Sequence, residues 1–465
     1  MLDLKIRNGS VPDFEAGAML AADIGVKDGM IVSVGRVEEA AKAEIDAEGL
    51  VVSPGFIDIH MHEETLVPGA PEPYDIARYM LAMGVTTAAA GNCGNTRQAV
   101  RDFLDFIDAN GSPINYLTFA GHNSIRARAG VASPYEAATP AQIEAMAGLV
   151  AEDIEAGAIG LSFGLEYSPA VSFAEMIGAA GGAAGREILL SAHYRSDGPD
   201  GLSSVRELIA LSEETGQAMQ VSHLVSCTGF GDMRESLESL AAAKARGVDV
   251  LADSYPYDAF CTRIGSAVFD DGCFERWGKG FGAIRFLQEP LRGTTCDEAS
   301  FRLAREEYPD SLVAAFVMND DEAVMAIAHP LVIVASDGIY NRGFGHPRGA
   351  GAFPRVLGRY SRERGALSLV EALRKMTLLP ASRLRLGRKG RIAVGCDADL
   401  VVFDPGRIVD TADYDSPTLP PLGIEAVLIG GRLALSPRGG PLPRLGRSIR
   451  REAIAGWSGG RKANA

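Results

Sequence analysis

The chain has 465 residues, of which 47% are hydrophobic and 23% are charged, and its formal net charge at pH 7 is −15. This length and composition are typical of a globular protein with room for a large core and a smaller appended domain. The negative charge argues against a nucleic acid partner, which requires a basic face. It leaves open a small anionic substrate, because a few local arginines can reverse the field inside a pocket.

The first residues contain neither the uninterrupted apolar segment nor the small-residue cleavage site of a signal peptide. No run of about 18 apolar residues occurs along the chain, which predicts that it does not span a membrane. The six cysteines are scattered without C-x-x-C spacing, a pattern that favours a reducing compartment over a disulfide framework. We therefore expect a cytoplasmic protein.

Both ends of the chain show the pattern of short antiparallel strands. In residues 1–53 the segments LDLKIRNG, DIGVKDGMIVSVG and AEIDAEGLVVSPG alternate apolar and polar residues between glycine turns. Residues 387–465 repeat this texture in GRIAVGCDADLVVFDP and IEAVLIGGRLAL. Neither half is large enough to bury its own core, so we expect the two ends to pair into one β-sandwich domain.

Residues 54–386 have a different character, with apolar runs that are each followed by a segment of helical spacing. The eight runs are GFIDIHMH, VTTAAAGNCG, NYLTFAGHN, AIGLSFGLEY, EILLSAHYR, AMQVSHLV, VDVLADSYPY and LVIVASDG. Buried parallel strands are continuous apolar stretches, so this alternation predicts an α/β fold with a (β/α)₈ TIM barrel. One connection, at about residues 258–328, is long enough to form a lid or a specificity element.

Four of the seven histidines close predicted barrel strands, where the active sites of this fold gather. His60 and His62 follow GFIDI, His193 follows ILLSA, and His223 follows MQVS. Because His60 and His62 are two residues apart on one strand, both side chains point to the same side and can share a divalent cation. An isolated H-x-H also occurs as a surface or hydrogen-bonded pair, so its position after a strand is the informative part.

Two further residues of metal-ligand type end predicted strands. Cys93 lies in AGNCGN after the second run, and its turn presents a thiol that could complete a Cys/His/His zinc set with His193 and His223. Asp337 ends the eighth run in IVASDG. A buried apolar cysteine and a helix-capping aspartate are the ordinary alternatives. Six such residues at the ends of five strands are nevertheless strong joint evidence for a metal site.

The chain resembles the amidohydrolase superfamily and, within it, the D-aminoacylase (N-acyl-D-amino-acid deacylase) group. The resemblance extends to near residue 435 and rests on SPGFIDIHMH, GNCG, GLSFGLEYSP, SAHYR, VSHL, DSYPY, HPRGAGAFPRVLGRY, LSLVEALRKMT and ADLVVFDP. It implies a β-sandwich with a TIM barrel. It also implies a zinc-dependent hydrolase that converts an N-acyl-D-amino acid, or a related N-acylated compound, to a carboxylate and a free amine.

The resemblance implies a ligand set as well. Cys93, His193 and His223 would hold a tight zinc ion, while His60, His62 and Asp337 would form a second, weaker site. Many two-metal members of the superfamily use a carboxylated lysine after the fourth strand, but GAIGLSFGL has none, so Cys93 would bridge. Asp337 would act as the general base. His60 and His62 could instead polarise the carbonyl if only one zinc is present.

Substrate recognition follows from the resemblance less directly. Arg348 in HPRGAG matches the family arginine that pairs with the substrate carboxylate, for which a guanidinium has suitable bidentate geometry. Tyr167, Tyr255 and Tyr257 lie on strand-end loops and are candidates to line the pocket, although tyrosine is often simply semi-buried. The expected partner is therefore a small carboxylate-bearing molecule, with neither nucleic acid nor a membrane involved.

The chain departs from the family at one position. D-aminoacylases carry a lysine two residues after the histidine of the sixth strand, where this chain has Val225. Arg195 in HYRSD and Arg263 in CTRIG are possible replacements as carboxylate-binding residues. The absent lysine puts a simple N-acetyl-D-amino acid in question as the substrate.

Three other functions are compatible with parts of the sequence. GLSFG, residues 160–164, fits the G-x-S-x-G motif of serine hydrolases with Ser162 as the nucleophile, but the helix that must follow is absent from LEYSPAVS. A cyclic amide hydrolase of the hydantoinase or dihydroorotase type would keep the family and change the bond. A non-catalytic barrel would be expected to have lost one of the six ligand-type residues.

Overall fold

The computed structural model describes residues 1–70, 72–436 and 442–451. The end of the predicted carboxyl-terminal segment 387–465, from residue 452 onward, lies outside the described residues, as do residues 437–441.

The two ends of the chain form one eight-stranded sheet. Its strands are Leu2–Asp13, Ala18–Lys27, Met30–Gly35, Ala41–Asp46, Val51–Pro54, Leu400–Phe403, Ile424–Ile429 and Arg432–Leu435. The halves join where Ser53 pairs with Val401 in an antiparallel register. Ile6, Val52 and Leu428 lie in a separate hydrophobic core on this sheet. Apolar residues from both ends of the chain thus bury one another on a single joined sheet.

Parallel strands make up the central part of the chain. In order they are Phe56–Asp58, Val85–Ala90, Asn115–Thr118 with Ala120–Gly121, Gly160–Gly164, Leu189–His193, Ala218–Val221, Val250–Ser254 and Val332–Val334. The third strand is interrupted at Phe119 and joins a three-stranded to a six-stranded sheet. A parallel β-bridge between Met61 and Gly338 links the segments that follow the first and the eighth of these strands. All carboxyl ends therefore face one side, where the loops converge.

Helices connect these strands. They are Asp75–Ala82, Val100–Asn110, His122–Arg128, Pro140–Glu155, Phe173–Ala180, Gly201–Thr215, Leu224–Thr228, Met233–Ala245, Arg348–Arg355 with a π-helical continuation at Val356–Glu363, Leu369–Met376 and Leu378–Arg383. Thr139 and Gln142 form a capping box that starts the helix Pro140–Glu155. The last two helices are separated at Thr377, because Pro380 cannot donate a backbone hydrogen bond to the preceding turn.

The long connection after the seventh strand is an ordered insertion. It contains an antiparallel sheet of Phe260–Arg263, Ile284–Phe286 and Leu312–Ala315, with helices Cys273–Trp277 and Glu298–Glu307, before the helix Asp320–Ala328 leads to the eighth strand. Aromatic rings of Phe269, Phe274, Trp277 and Phe301 contact one another inside it. The insertion therefore presents a packed wall to the strand ends. Among the described residues, no helix has the length and apolar character needed to cross a membrane.

Candidate metal centre

The six residues of metal-ligand type lie together at the carboxyl ends of the parallel strands. They are His60 and His62 after the first strand, Cys93 after the second, His193 at the end of the fifth, His223 after the sixth and Asp337 after the eighth. Ligand atoms of His60, His62 and Cys93 lie within 4.8 Å of one another, and so do those of Cys93, His193 and His223. Cys93 is therefore shared by two adjacent sets of donors.

The Cys93 thiol lies between imidazoles. Its Sγ is 3.3 Å from His60 Nε2 and 3.5 Å from His223 Nε2, and all three residues are buried. Burial raises the pKa of the Cys93 thiol, but the charges of His60 and His223 lower it more, so that it lies well below its usual range. The arrangement favours a thiolate, which is the form that binds a metal.

Three of these residues have an unusual backbone conformation. Cys93, His223 and Asp337 have φ angles of 52°, 33° and 47°, in the left-handed region that residues with a side chain rarely adopt. Gly94 permits the close turn at Cys93, because a Cβ there would lie 2.7 Å from the backbone nitrogen of Gly164. Such conformations persist where surrounding contacts enforce them, and they cluster at functional sites.

Asp253, on the seventh strand, orients two of the histidines. Its Oδ1 accepts a hydrogen bond of 2.7 Å from the His223 backbone N–H and lies 3.1 Å from His60 Nδ1, while Gln220 donates to its Oδ2. The His60 ring is thus turned so that Nε2 faces the thiol. The Ser226 hydroxyl, 2.9 Å from His223 Nδ1, does the same for His223. Partners of this kind fix the tautomer and direction of metal-binding imidazoles.

His193 is held from the opposite side. Its Nε2 lies 2.9 Å from Glu166 Oε2, which leaves Nδ1 buried and without a hydrogen-bond partner among the described residues. Arg276, from the insertion, donates to Glu166 Oε1 at 3.2 Å and also to Asp197. Trp277 Nε1 donates to the other oxygen of Asp197 at 2.7 Å. The insertion therefore supports the carboxylate that positions His193.

The two carboxylate oxygens of Asp337 have different partners. Its Oδ1 lies 3.1 Å from His62 Nε2 and 3.5 Å from His60 Nε2, and its Oδ2 lies 2.7 Å from Arg348 Nη2. Burial raises the pKa of Asp337, but Arg348, His223 and the hydrogen bond from His62 hold it well below its usual range. The carboxylate is consequently ionised at neutral pH, which is the form that a general base requires.

A cavity of about 580 Å³ lies between the strand ends and the insertion. Of the residues that the sequence singles out, its wall includes His62, Cys93, His193, His223, Asp337, Tyr167 and Arg263. Such a volume suits a small organic molecule.

The other residues predicted to bind substrate are placed behind or away from this wall. Arg348 is buried under Asp337 and stacks on Tyr255 at 4.3 Å, with its Nη1 unpartnered within the described part of the chain. Tyr257 packs under Arg355. Arg195 forms a bidentate pair with Glu207. Arg195 therefore already has a carboxylate partner on its own side of the barrel.

Several residues of the site were missed in the sequence. Asp253 ends an apolar strand in the same way as Asp337, so the signal for it was present. Glu166 lies in the motif GLSFGLEYSP, directly beyond the fourth strand. Arg97 follows the Cys93 turn and lines the cavity, but nothing in GNCGNTR marks it. Arg276 is 110 residues from the glutamate that it contacts, and no local pattern could reveal this pairing.

Ser162 has a different role from a nucleophile. It lies in the middle of the strand Gly160–Gly164, and the next helix begins only at Phe173. Its hydroxyl donates to the Gly91 carbonyl and accepts from the Gly94 N–H at 3.1 Å. Ser162 is buried and braces the turn that carries Cys93. The strand–turn–helix context of a serine nucleophile is therefore not formed here.

The donor set fits zinc. Zinc is bound by thiolate and imidazole, and its ligands are held by hydrogen bonds at their far sides. Cys93, His193 and His223 are buried, and His193 and His223 each have one ring nitrogen bonded outside the cluster. The unpartnered Nδ1 of His193 is the kind of atom that a metal would satisfy.

Comparisons with known proteins identify similar sequences and structures. The model of the amidohydrolase family matches residues 43–279 and 324–434. An N-acyl-D-glutamate deacylase of Alcaligenes xylosoxydans xylosoxydans is 34% identical over 98% of both chains. The N-acyl-D-glutamate deacylase of Bordetella bronchiseptica, solved with zinc and a phosphonate that mimics the tetrahedral intermediate, is 31% identical with a TM-score of 0.86. That superposition covers 97% of this chain and 99% of the other.

A D-aminoacylase studied for its binuclear metal centre also matches, with a TM-score of 0.86 and 27% identity over 97% of this chain and all of the other. The gap between the two matched segments of the family model, residues 280–323, falls within the insertion. The family model thus leaves this part of the insertion unmatched.

Proposed function

The chain belongs to the amidohydrolase family, and from this premise we propose that it is a zinc-dependent hydrolase of N-acyl-D-amino acids, which it cleaves to a carboxylate and a free amine. The observation that carries the proposal is the Cys93 thiol shared by two sets of donors at the strand ends. The N-acyl-D-glutamate deacylase and D-aminoacylase relatives support the bond type.

Cys93, His193 and His223 would hold the principal zinc ion, and His60, His62 and Asp337, with Cys93 between them, a second and weaker one. When bound, zinc supplies a water molecule whose pKa is lowered to about 7 and a positive charge that polarises the amide carbonyl. The binuclear centre of the related D-aminoacylase supports the two-site assignment.

Asp337 is the proton carrier in this mechanism. Arg348 occupies its Oδ2, so Oδ1, beside His62, is the oxygen that faces the cavity. Asp337 takes a proton from the attacking water as the new C–O bond forms at the acyl carbon. It then gives this proton to the nitrogen as the C–N bond breaks, so that the amine leaves neutral.

We assign the α-carboxylate of the substrate to Arg348 and Tyr255. Arg348 Nη1 and the Tyr255 hydroxyl are buried polar groups without hydrogen-bond partners among the described residues, and the two side chains stack. A carboxylate that reached them would satisfy both. Val225, where the family has a lysine, is fully buried and offers no charge, so arginine supplies the positive charge for recognition. Tyr167 lines the cavity with its ring 4.6 Å from that of His193, and it would contact the substrate there.

The proposal also covers the architecture. The bridge between Met61 and Gly338 and the hydrogen bond of 2.8 Å from Asp337 N to the His60 carbonyl support a closed (β/α)₈ barrel over residues 54–386. We propose that residues 1–53 and 387–465 build one β-sandwich domain, and the sheet that joins strands from both ends supports their pairing. The six free, buried cysteines support a cytoplasmic location.

A substrate screen with zinc-loaded protein tests the proposed function. The panel comprises N-acetyl, N-formyl, N-succinyl and N-carbamoyl derivatives of D- and L-amino acids, together with hydantoin and dihydroorotate. We expect turnover of linear N-acyl-D-amino acids, measured as released amine. Preference for L-substrates, or for the cyclic amides, would contradict the proposal.

A further inference from the structure

Two arginines on the cavity wall have no role in the mechanism above. Arg97 lies between the Cys93 turn and the helix Val100–Asn110, and Arg263 ends the first strand of the insertion. Both line the cavity that contains the metal-ligand residues, and they approach it from opposite parts of the chain. Burial and the neighbouring charge of Arg263 lower the pKa of Arg97 by more than the charges of Glu63 and Asp310 raise it, which indicates that the two cations interact.

The carboxylates of the cavity are already engaged elsewhere. Glu63 accepts hydrogen bonds from the backbone N–H groups of Gly91 and Arg97, both at 2.9 Å. Glu166 and Asp337 are bound by the histidines and arginines described above. None of these three carboxylates hydrogen-bonds the Arg97 side chain.

The two guanidinium groups are therefore weakly compensated. Arg97 has no side-chain hydrogen bond or ion pair with any described residue. Arg263 pairs with Asp310 at 3.2 Å, but the Asp310 side chain is 83% exposed. An exposed pair of this kind contributes little, so a substrate carboxylate can replace Asp310 at small cost.

We propose that Arg97 and Arg263 bind a second carboxylate of the substrate, so that this enzyme prefers N-acyl-D-amino acids carrying two carboxylates over those with one. The proposal rests on the proposed function and extends it to the substrate class. Arg348 cannot serve this second group as well, because two of its nitrogens already contact Asp337. The second carboxylate can come from the amino-acid side chain or from the acyl group.

The experiment compares kcat/KM for pairs of substrates that differ by one charge and little in shape. N-acetyl-D-glutamate against N-acetyl-D-glutamine tests a side-chain carboxylate. N-succinyl-D-leucine against its succinamoyl analogue tests an acyl carboxylate. The wild-type protein is expected to prefer the charged member of one pair by about tenfold or more, the effect of a charge-assisted hydrogen bond.

Substitutions then assign the preference to these residues. Arg97→Gln and Arg263→Gln are each expected to reduce the preference for the charged substrate about three- to tenfold, with kcat/KM for the neutral substrate nearly unchanged. Arg97→Lys and Arg263→Lys should retain part of it, and they keep the proposal testable if a glutamine variant folds poorly. Arg101→Gln is the matched control, because Arg101 is an exposed cation four residues away that does not line the cavity.

The outcomes separate this proposal from the proposed function. Hydrolysis of N-acyl-D-amino acids with no preference in either pair, or with a preference that both glutamine variants retain, would overturn the second-carboxylate site alone. Failure to hydrolyse any N-acyl-D-amino acid would overturn the proposed function, and this proposal with it.

Discussion

Both ends of the parallel strands bury charged side chains, but their hydrogen bonds are complete at one end and incomplete at the other. At the amino end, Lys375 donates to the carbonyls of His329 and Val332, and Arg383 donates to the Met219 carbonyl and to Asp249. At the carboxyl end, polar atoms without partners in the described structure remain on His193, Arg348 and Tyr255.

This difference indicates what each end is for. An unpaired buried polar group costs free energy, so a fold retains one where a ligand completes the bonding. The left-handed backbone at Cys93, His223 and Asp337 is a further cost at the same end. Substitutions at the carboxyl end should therefore affect turnover, and those at the amino end should affect stability.

The largest effect is expected for Asp337→Asn. Asparagine keeps the shape of the side chain but cannot accept the proton of the attacking water, so kcat should fall by about 10³-fold. Zinc content, measured on the purified variant, should stay near that of the wild-type protein. Unchanged turnover would rule out Asp337 as the base, and loss of zinc would reassign it to metal binding alone.

Lys375→Met addresses the amino end. Burial lowers the pKa of the Lys375 ammonium to about 8 from its usual 10.5. Between these pH values the unfolded chain holds a proton that the folded protein has released, so the wild-type free energy of unfolding should rise with pH. Relative to the methionine variant, the rise is expected to reach about 3 kcal/mol.

Chemical denaturation of both proteins at pH 8 and at pH 10.5 measures this difference, and turnover at neutral pH serves as the control. A pH-independent difference in stability would contradict the burial argument. A large loss of turnover in a folded Lys375→Met variant would contradict the claim that residues at the amino end affect stability and not turnover.

The smallest effect concerns the insertion. Arg276→Gln removes the guanidinium that holds Glu166 and Asp197, and Glu166 positions the His193 ring. Loss of such an outer partner typically weakens metal binding, and we expect a decrease in zinc affinity of about tenfold. Competition with a chelator measures it.

The matched control is Arg305→Gln, which breaks the more exposed pair of the insertion with Asp270. It should leave zinc affinity unchanged, and Arg276→Lys should recover part of the loss. Equal zinc affinity in Arg276→Gln and the wild-type protein would show that the insertion does not act on the ligand.

The meeting of the six candidate ligand residues could be predicted from the sequence because each residue is local to its own strand. The apolar run before His193 or His223 marks the strand, and the fold brings the strand ends together. The contacts that support them could not be predicted, since Glu166 meets Arg276 only through the packing of the insertion. Arg348 shows a third case: its motif predicts carboxylate binding, while the structure shows that it also restrains Asp337.

The fold follows the same division. The alternation of apolar runs and helices predicts the order of the parallel strands. The β pattern at both ends predicts a β-sandwich, and the structure joins the two ends in one eight-stranded sheet. The internal order of the insertion depends on contacts among Phe269, Trp277 and Phe301, which are distant in sequence. Periodicity carries no information on such contacts.

The most direct test of the central claim is turnover of N-acetyl-D-glutamate before and after removal of zinc. We expect chelation to abolish release of the amine and zinc to restore it. N-acetyl-L-glutamate should not be hydrolysed at any stage. Full activity in protein shown to be free of metal would contradict the account.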